Sequence, residues 1–111
     1  MSDLTRINHE MRTAAIRTAL RNHPFLLDKL ITEDGQFNIG ATPEKLDLDE
    51  PADILVRIAW DIWNGGGETE FEKILTHLPH DDFTAFIDSM SEFLRLRKKI
   101  HFSYITGAEN D

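Results

Sequence analysis

The sequence predicts an all-α fold: a single domain over residues 1–111 with about five helices, two of them short, and one irregular connection at residues 32–49. Two observations carry this reading. Apolar residues recur at spacings of three and four through at least four segments, and that period disappears only between residues 32 and 50, where turn-forming residues gather. A length of 111 residues, 41 % hydrophobic and 29 % charged, suits one folded domain with a modest core, and no repeat or linker divides it.

Over residues 4–21, Leu4, Ile7, Met11, Ala14, Ala15 and Thr18 share one side of a helix, Ile16 and Leu20 widen that stripe, and Arg6, Glu10, Thr13, Arg17 and Arg21 lie on the wetter side. Pro24 has no amide to donate and fits the first turn of a short second helix, "PFLLDKLI", with Asn22 or His23 near its cap. Phe25, Leu26, Leu27, Leu30 and Ile31 are its core candidates. Further on, "EDGQ" signals a turn, and two pairs alternate at spacing two: Phe37 with Ile39, and Leu46 with Leu48. Across "GATPE" they form either a minimal hairpin or an extended loop pinned by four apolar side chains.

The segment "DEPADILVRIAWDIWNGG" gives the most informative helix. Its apolar residues from Ala52 to Trp63 cover an arc of about two thirds of the circumference, so neighbours surround most of it. Asp53, Arg57 and Asp61 fill the gap and mark its one solvated edge. Trp63 reads as core, whereas Trp60 borders the polar edge and is the ring offered to another chain. A glycine among residues 65–67 ends this helix at Asn64. Thr69 and Glu72 fit a capping box for a short helix with Phe71, Ile74, Leu75 and Leu78 on its stripe, closed by Pro79. The last helix starts near "HDDF", where Asp81 and Asp82 suit the N-terminal dipole, and ends near "RKKI", where Lys98 and Lys99 suit the other end. Phe83, Phe86, Ile87, Met90, Phe93 and Leu94 face its core side. Phe102, Tyr104 and Ile105 are expected to dock back, and the last four or five residues to fray.

The chemistry available is narrow. Without cysteine there is no disulfide, thiolate metal site or cysteine nucleophile. The glycine triplet lacks the preceding strand and the Gly-Lys-Ser/Thr of a phosphate-binding loop, and Glu68, Glu70 and Glu72 would compete with an anion for its amides. His77, His80 and Asp81 are potential metal ligands, but they straddle a helix end. Asp47, Asp49, Glu50 and Asp53 lack the glycine and glutamate offsets of a calcium loop, and Asp49 or Glu50 suits the start of the helix led by Pro51. Arg95, Arg97, Lys98 and Lys99 fall on differing helix faces and define no nucleic-acid groove. No cofactor and no catalytic residue is assigned, and the chain is read as a non-enzyme.

Charge distribution is the clearest functional signal. The net charge is -8, and residues 44–72 hold nine carboxylates against Lys45 and Arg57 alone. Such a field repels nucleic acid and attracts basic proteins. The expected function is a small acidic protein-interaction module, an inhibitor, adaptor or complex subunit, that meets a basic partner through this central segment. Its expected contact residues are Asp53, Arg57, Trp60, Asp61, Glu68 and Glu70. The alternatives are a self-associating helical module, or a small metal-dependent enzyme using His77, His80 and Asp81. No apolar run approaches the roughly 18 residues of a membrane span, and the N-terminus carries no basic-then-apolar signal, so cytoplasmic residence is expected.

Overall fold

The computed structural model describes the backbone of residues 3–106 and the side chains of residues 5–98. Among the described residues there are six helices in a compact all-helical domain: α1 (Asp3–Ala19), α2 (Pro24–Leu30), α3 (Pro43–Leu46), α4 (Ala52–Asn64), α5 (Phe71–His77) and α6 (His80–Thr106). Helix α4 is central, because Ile54, Leu55, Val56, Ile58, Ala59, Trp60 and Ile62 are all buried. Each large aliphatic side chain buried there stabilises by about 1.5–3 kcal/mol, so the core is weighted towards this one helix.

Helix α1 packs against both α4 and α6. Its inward stripe is Met11, Ala15, Ile16, Ala19 and Leu20, so Ile16 and Leu20 lie at the middle of the buried face rather than at its margin. Thr13 is also buried, not wet, and its hydroxyl donates to the carbonyls of His9 and Glu10. Ala15 and Ala19 on α1, like Ala85 and Ser89 on α6, are fully buried, and such small residues let two helix backbones approach closely. The helices run antiparallel: Thr18 donates to Glu92 at 2.8 Å, Arg21 pairs with Asp88 at 2.8 Å, and His23 meets the buried Asp82 at 2.8 Å.

Pro24 opens α2 as expected, but only Leu26 and Leu30, one turn apart, are buried on it. Phe25 is 83 % exposed, because one residue along a seven-residue helix turns the side chain about 100° away from that pair. No hairpin forms at residues 32–49. A single bridge joins Ile31 to Phe37 around a tight turn, where the Thr32 amide donates to the Gln36 carbonyl at 2.8 Å and Gly35 takes a positive φ of 82°. Pro43 then opens the helical turn α3, capped by the Thr42 hydroxyl. The tryptophans of α4 decide this arrangement. Phe37 stacks on Trp63 and meets Trp60 edge-on, both at 4.9 Å, and the Trp60 indole N–H donates to the Ala41 carbonyl at 2.9 Å. Phe37 is thus buried while Ile39 stays 72 % exposed.

Helix α6 does not stop near Ile100 but continues to Thr106, since neither glycine nor proline occurs from residue 80 to residue 106. Lys98 and Lys99 therefore lie well before the last turn. Phe102, Tyr104 and Ile105 belong to the helix, with side chains outside the described residues, as is the expected fraying of the last residues. Ile87 and Leu94, expected in the core, are 45 % and 50 % exposed.

The contrast within α2 is directly measurable. Leu30→Ala should destabilise by about 2–5 kcal/mol, and Phe25→Ala should change stability by no more than about 0.5 kcal/mol. Chemical denaturation of both variants checks this, and equal losses would contradict the placement of Phe25.

Candidate functional site

The polar edge of α4 does more than face solvent. Asp53, Arg57 and Asp61 follow one another at four-residue spacing, one above the next. Arg57 donates through Nε to Asp53 at 2.9 Å and through Nη1 to the Gly67 carbonyl at 3.3 Å, and its other end lies 3.7 Å from Glu44. Asp61 accepts the Gly67 amide on one oxygen at 2.8 Å and the Thr69 amide on the other at 3.1 Å. The connection from α4 to α5 is therefore fastened back onto α4. The hydrogen bond to Asp53 raises the Arg57 pKa against the opposing effect of burial, and the charges of Asp53, Glu44 and Glu68 add to the rise. Burial pushes the Asp61 carboxyl up, but the Thr69 side chain and the amides of Thr69, Gly67 and Glu68 together hold it below its usual value. The Thr69 hydroxyl lies near that carboxylate outside normal hydrogen-bond geometry, so it is buried with no formal partner.

This arrangement replaces the expected capping box. Thr69 gives its amide to Asp61, α5 begins only at Phe71, and Glu70 stands at the cap position with no side-chain cap bond. Asp49 and Glu50 likewise do not cap α4, whose N-cap is Pro51 without a side-chain bond. The glycines are held by separate constraints. Gly65 adopts a φ of 78° to end α4. At Gly67 a Cβ would sit 1.8 Å from the Arg57 carbonyl oxygen, inside any contact distance.

Of the six expected contact residues, Asp53, Arg57, Glu68 and Glu70 converge around a polar cavity of about 230 Å³, together with Lys73. Lys73 lies between Glu50 at 3.9 Å and Glu70 at 4.0 Å. Asp61 lies on the same edge but opens towards the other side of the connection. Trp60 does not belong to the surface: only 9 % exposed and bonded to Ala41, it is a core ring, and Trp63 is the more open of the two. His77 bonds its neighbour Thr76, His80 is exposed at the first position of α6, and among the described residues no three histidine or carboxylate side chains are grouped to hold a metal ion. Among the described residues no helix is long and apolar enough to cross a membrane.

A second feature escaped the sequence reading. An apolar groove of about 380 Å³ is lined by Ile58, Phe71, Ile74, Phe86, Met90 and Phe93, with Arg12, Asp61 and Thr69 among its polar residues. Arg12 donates to the carbonyls of Ile62 and Trp63 at 2.7 and 3.3 Å, where α4 presents its negative end, and its guanidinium lies 5.7 Å from the Phe93 ring centre. The available signal was the breadth of the apolar arc on α6, wider than one neighbouring helix covers.

Two predictions test the fastening. Gly67→Ala should destabilise by on the order of 3 kcal/mol, because the backbone itself must move, whereas Gly66→Ser, which meets only the Asn64 side chain, should cost less than about 1 kcal/mol. Equal melting temperatures for the two variants would count against the close approach. For Asp61 the sign follows from its lowered pKa: the unfolded chain binds the proton first, so the stabilisation is complete above about pH 4 and is lost as pH falls through the lower folded value. Asp61→Asn should destabilise at pH 7 by about 1.5–3 kcal/mol and flatten the acid limb of the melting curve against pH. An unaltered acid limb would assign that limb to other carboxylates.

Comparison of the chain with protein-family models, with curated proteins and with solved structures finds no match.

Proposed function

We propose that the protein is a small acidic interaction module that docks a basic protein on the face formed by α3, the polar edge of α4 and the start of α5. One observation carries this reading. Carboxylates distant in sequence, Glu44, Glu50, Asp53, Glu68 and Glu70, gather on one face, and the two cations they surround, Arg57 and Lys73, are each already shared between carboxylates. Arg57 is shared by Asp53 and Glu44, and Lys73 by Glu50 and Glu70. Among the described residues, Glu68 and Glu72 make no ion pair within 4.0 Å. With five carboxylates around Arg57 and Lys73, the face keeps a net negative field, which speeds the approach of a basic surface more than it deepens affinity. An inhibitor, an adaptor and a complex subunit can all work this way.

The test must avoid Asp53 and Asp61, whose removal loosens the fold. Glu68→Gln with Glu70→Gln neutralises two exposed carboxylates and leaves the fastening of Gly67 and Thr69 in place. With a partner recovered in stoichiometric amount from the native source, the double variant should associate several-fold more slowly and show a shallower dependence on salt. Identical rates and identical salt dependence would refute the acidic face as the docking surface.

A further inference from the structure

The acidic face leaves one apolar surface of the molecule without a role. The groove between α4, α5 and α6 has Phe86, Met90 and Phe93 on one side and Phe71 and Ile74 on the other. Helical spacing extends this surface beyond the groove. Leu75 follows Phe71 by one turn on α5, and Ile87 and Leu94 flank Met90 on α6. Phe71 at the groove wall and these three outer residues are all open: Phe71 is 68 % exposed, Leu75 55 %, Ile87 45 % and Leu94 50 %. Single exposed apolar side chains are ordinary, but several adjoining one apolar groove mark a surface that another molecule covers.

We infer that the groove receives the apolar side of an amphipathic helix from the partner, a helix that carries lysine or arginine along its edge. Extent and charge select this occupant. A small apolar molecule would fill the groove yet leave Leu75, Ile87 and Leu94 in water, whereas two or three turns of helix cover the whole strip, with anchors at i, i+3, i+4 and i+7. A second copy carries the same net charge of -8, so pairing groove with groove would bring two negative molecules together. Glu68, Glu70 and Glu72 flank Phe71 at the α5 side of the groove, where a basic helix edge meets them with opposite charge. The charge half of this inference rests on the acidic-face reading, while the apolar half stands on the groove alone.

The experiment uses the full chain and three labelled 18-residue peptides, followed by fluorescence anisotropy. One carries leucines in a helical stripe with lysines elsewhere, the second has the same composition with the leucines dispersed, and the third keeps the stripe with glutamate in place of lysine. The striped lysine peptide should bind about tenfold or more tighter than the dispersed one, and Phe71→Ser with Leu94→Ser should weaken it at least about fivefold. Both substitutions are at exposed positions, and the melting temperature checks that the fold survives. The Met90 methyl resonance of the unaltered protein gives a readout independent of any variant, and it should shift on titration.

Equal binding of the striped and dispersed lysine peptides, lost in Glu68→Gln with Glu70→Gln, would overturn the groove and leave the acidic face standing. Binding of the glutamate peptide as tight as that of the lysine peptide would overturn the basic occupant. A concentration-dependent mass abolished by Phe71→Ser would hand the groove to a second copy and overturn the helix, as would failure of the striped lysine peptide to bind.

Discussion

Helix α4 is buried on every side but one, and the remaining edge cannot be buried without satisfying Asp53, Arg57 and Asp61. The chain meets that requirement with its own next segment. Arg57 takes the Gly67 carbonyl, Asp61 takes the amides of Gly67 and Thr69, and α5 starts where this fastening releases the backbone, at Phe71. Only Ile74 of α5 is fully inside, so α5 leans on the core by one residue and leaves Phe71 and Leu75 open beside α6. The groove is thus a consequence of how the polar edge of α4 is satisfied, and the acidic face is the outer surface of the same device.

The long pair of α1 and α6 supplies the other half of the framework. Its small buried residues set the close approach, and polar contacts at its surface set the register. Exposed pairs such as Arg21 with Asp88 contribute little energy, at most about 1 kcal/mol. Their value lies in alignment, together with Thr18 and Glu92 and the half-buried contact of His23 with Asp82. Arg12 ties the pair to the centre, since it stands on α1, bonds the last carbonyls of α4 and lies over Phe93 of α6.

The longer helical segments were legible because their faces, and several of their ends, are written in their own residues. The broad arc of α4, the proline at the start of α2, the glycine after Asn64 and the acidic first turn of α6 are all local signals, and all appear in the fold. Competition between segments was not legible. Thr69 and Glu72 satisfy the capping pattern, yet Asp61, eight residues earlier, holds the Thr69 amide. Phe37 and Ile39 alternate like a strand, yet two tryptophan rings claim Phe37 and the Ala41 carbonyl. The wheel placed Trp60 beside the polar edge and could not show that a loop arriving from residues 37–41 would cover it. For the site, the sequence named the acidic residues that converge but missed the groove, which depends on the angle between two helices rather than on either one.

The same competition explains why three consecutive glycines make no phosphate site. An anion-binding loop works by pointing unengaged backbone amides at one place. Here the Gly65 amide goes to the Asp61 carbonyl, the Gly66 amide to the Asn64 side chain, and the Gly67 and Thr69 amides to the two oxygens of the Asp61 carboxylate. The loop has the form of an anion nest, but its anion is built in. A carboxylate carried on the preceding helix is bound by the amides that follow it, and the depressed Asp61 pKa is the electrostatic mark of that binding. The glutamates after the loop are therefore not what excludes a phosphate. Asp61 already occupies the site, and Glu68 and Glu70 are left to face outward.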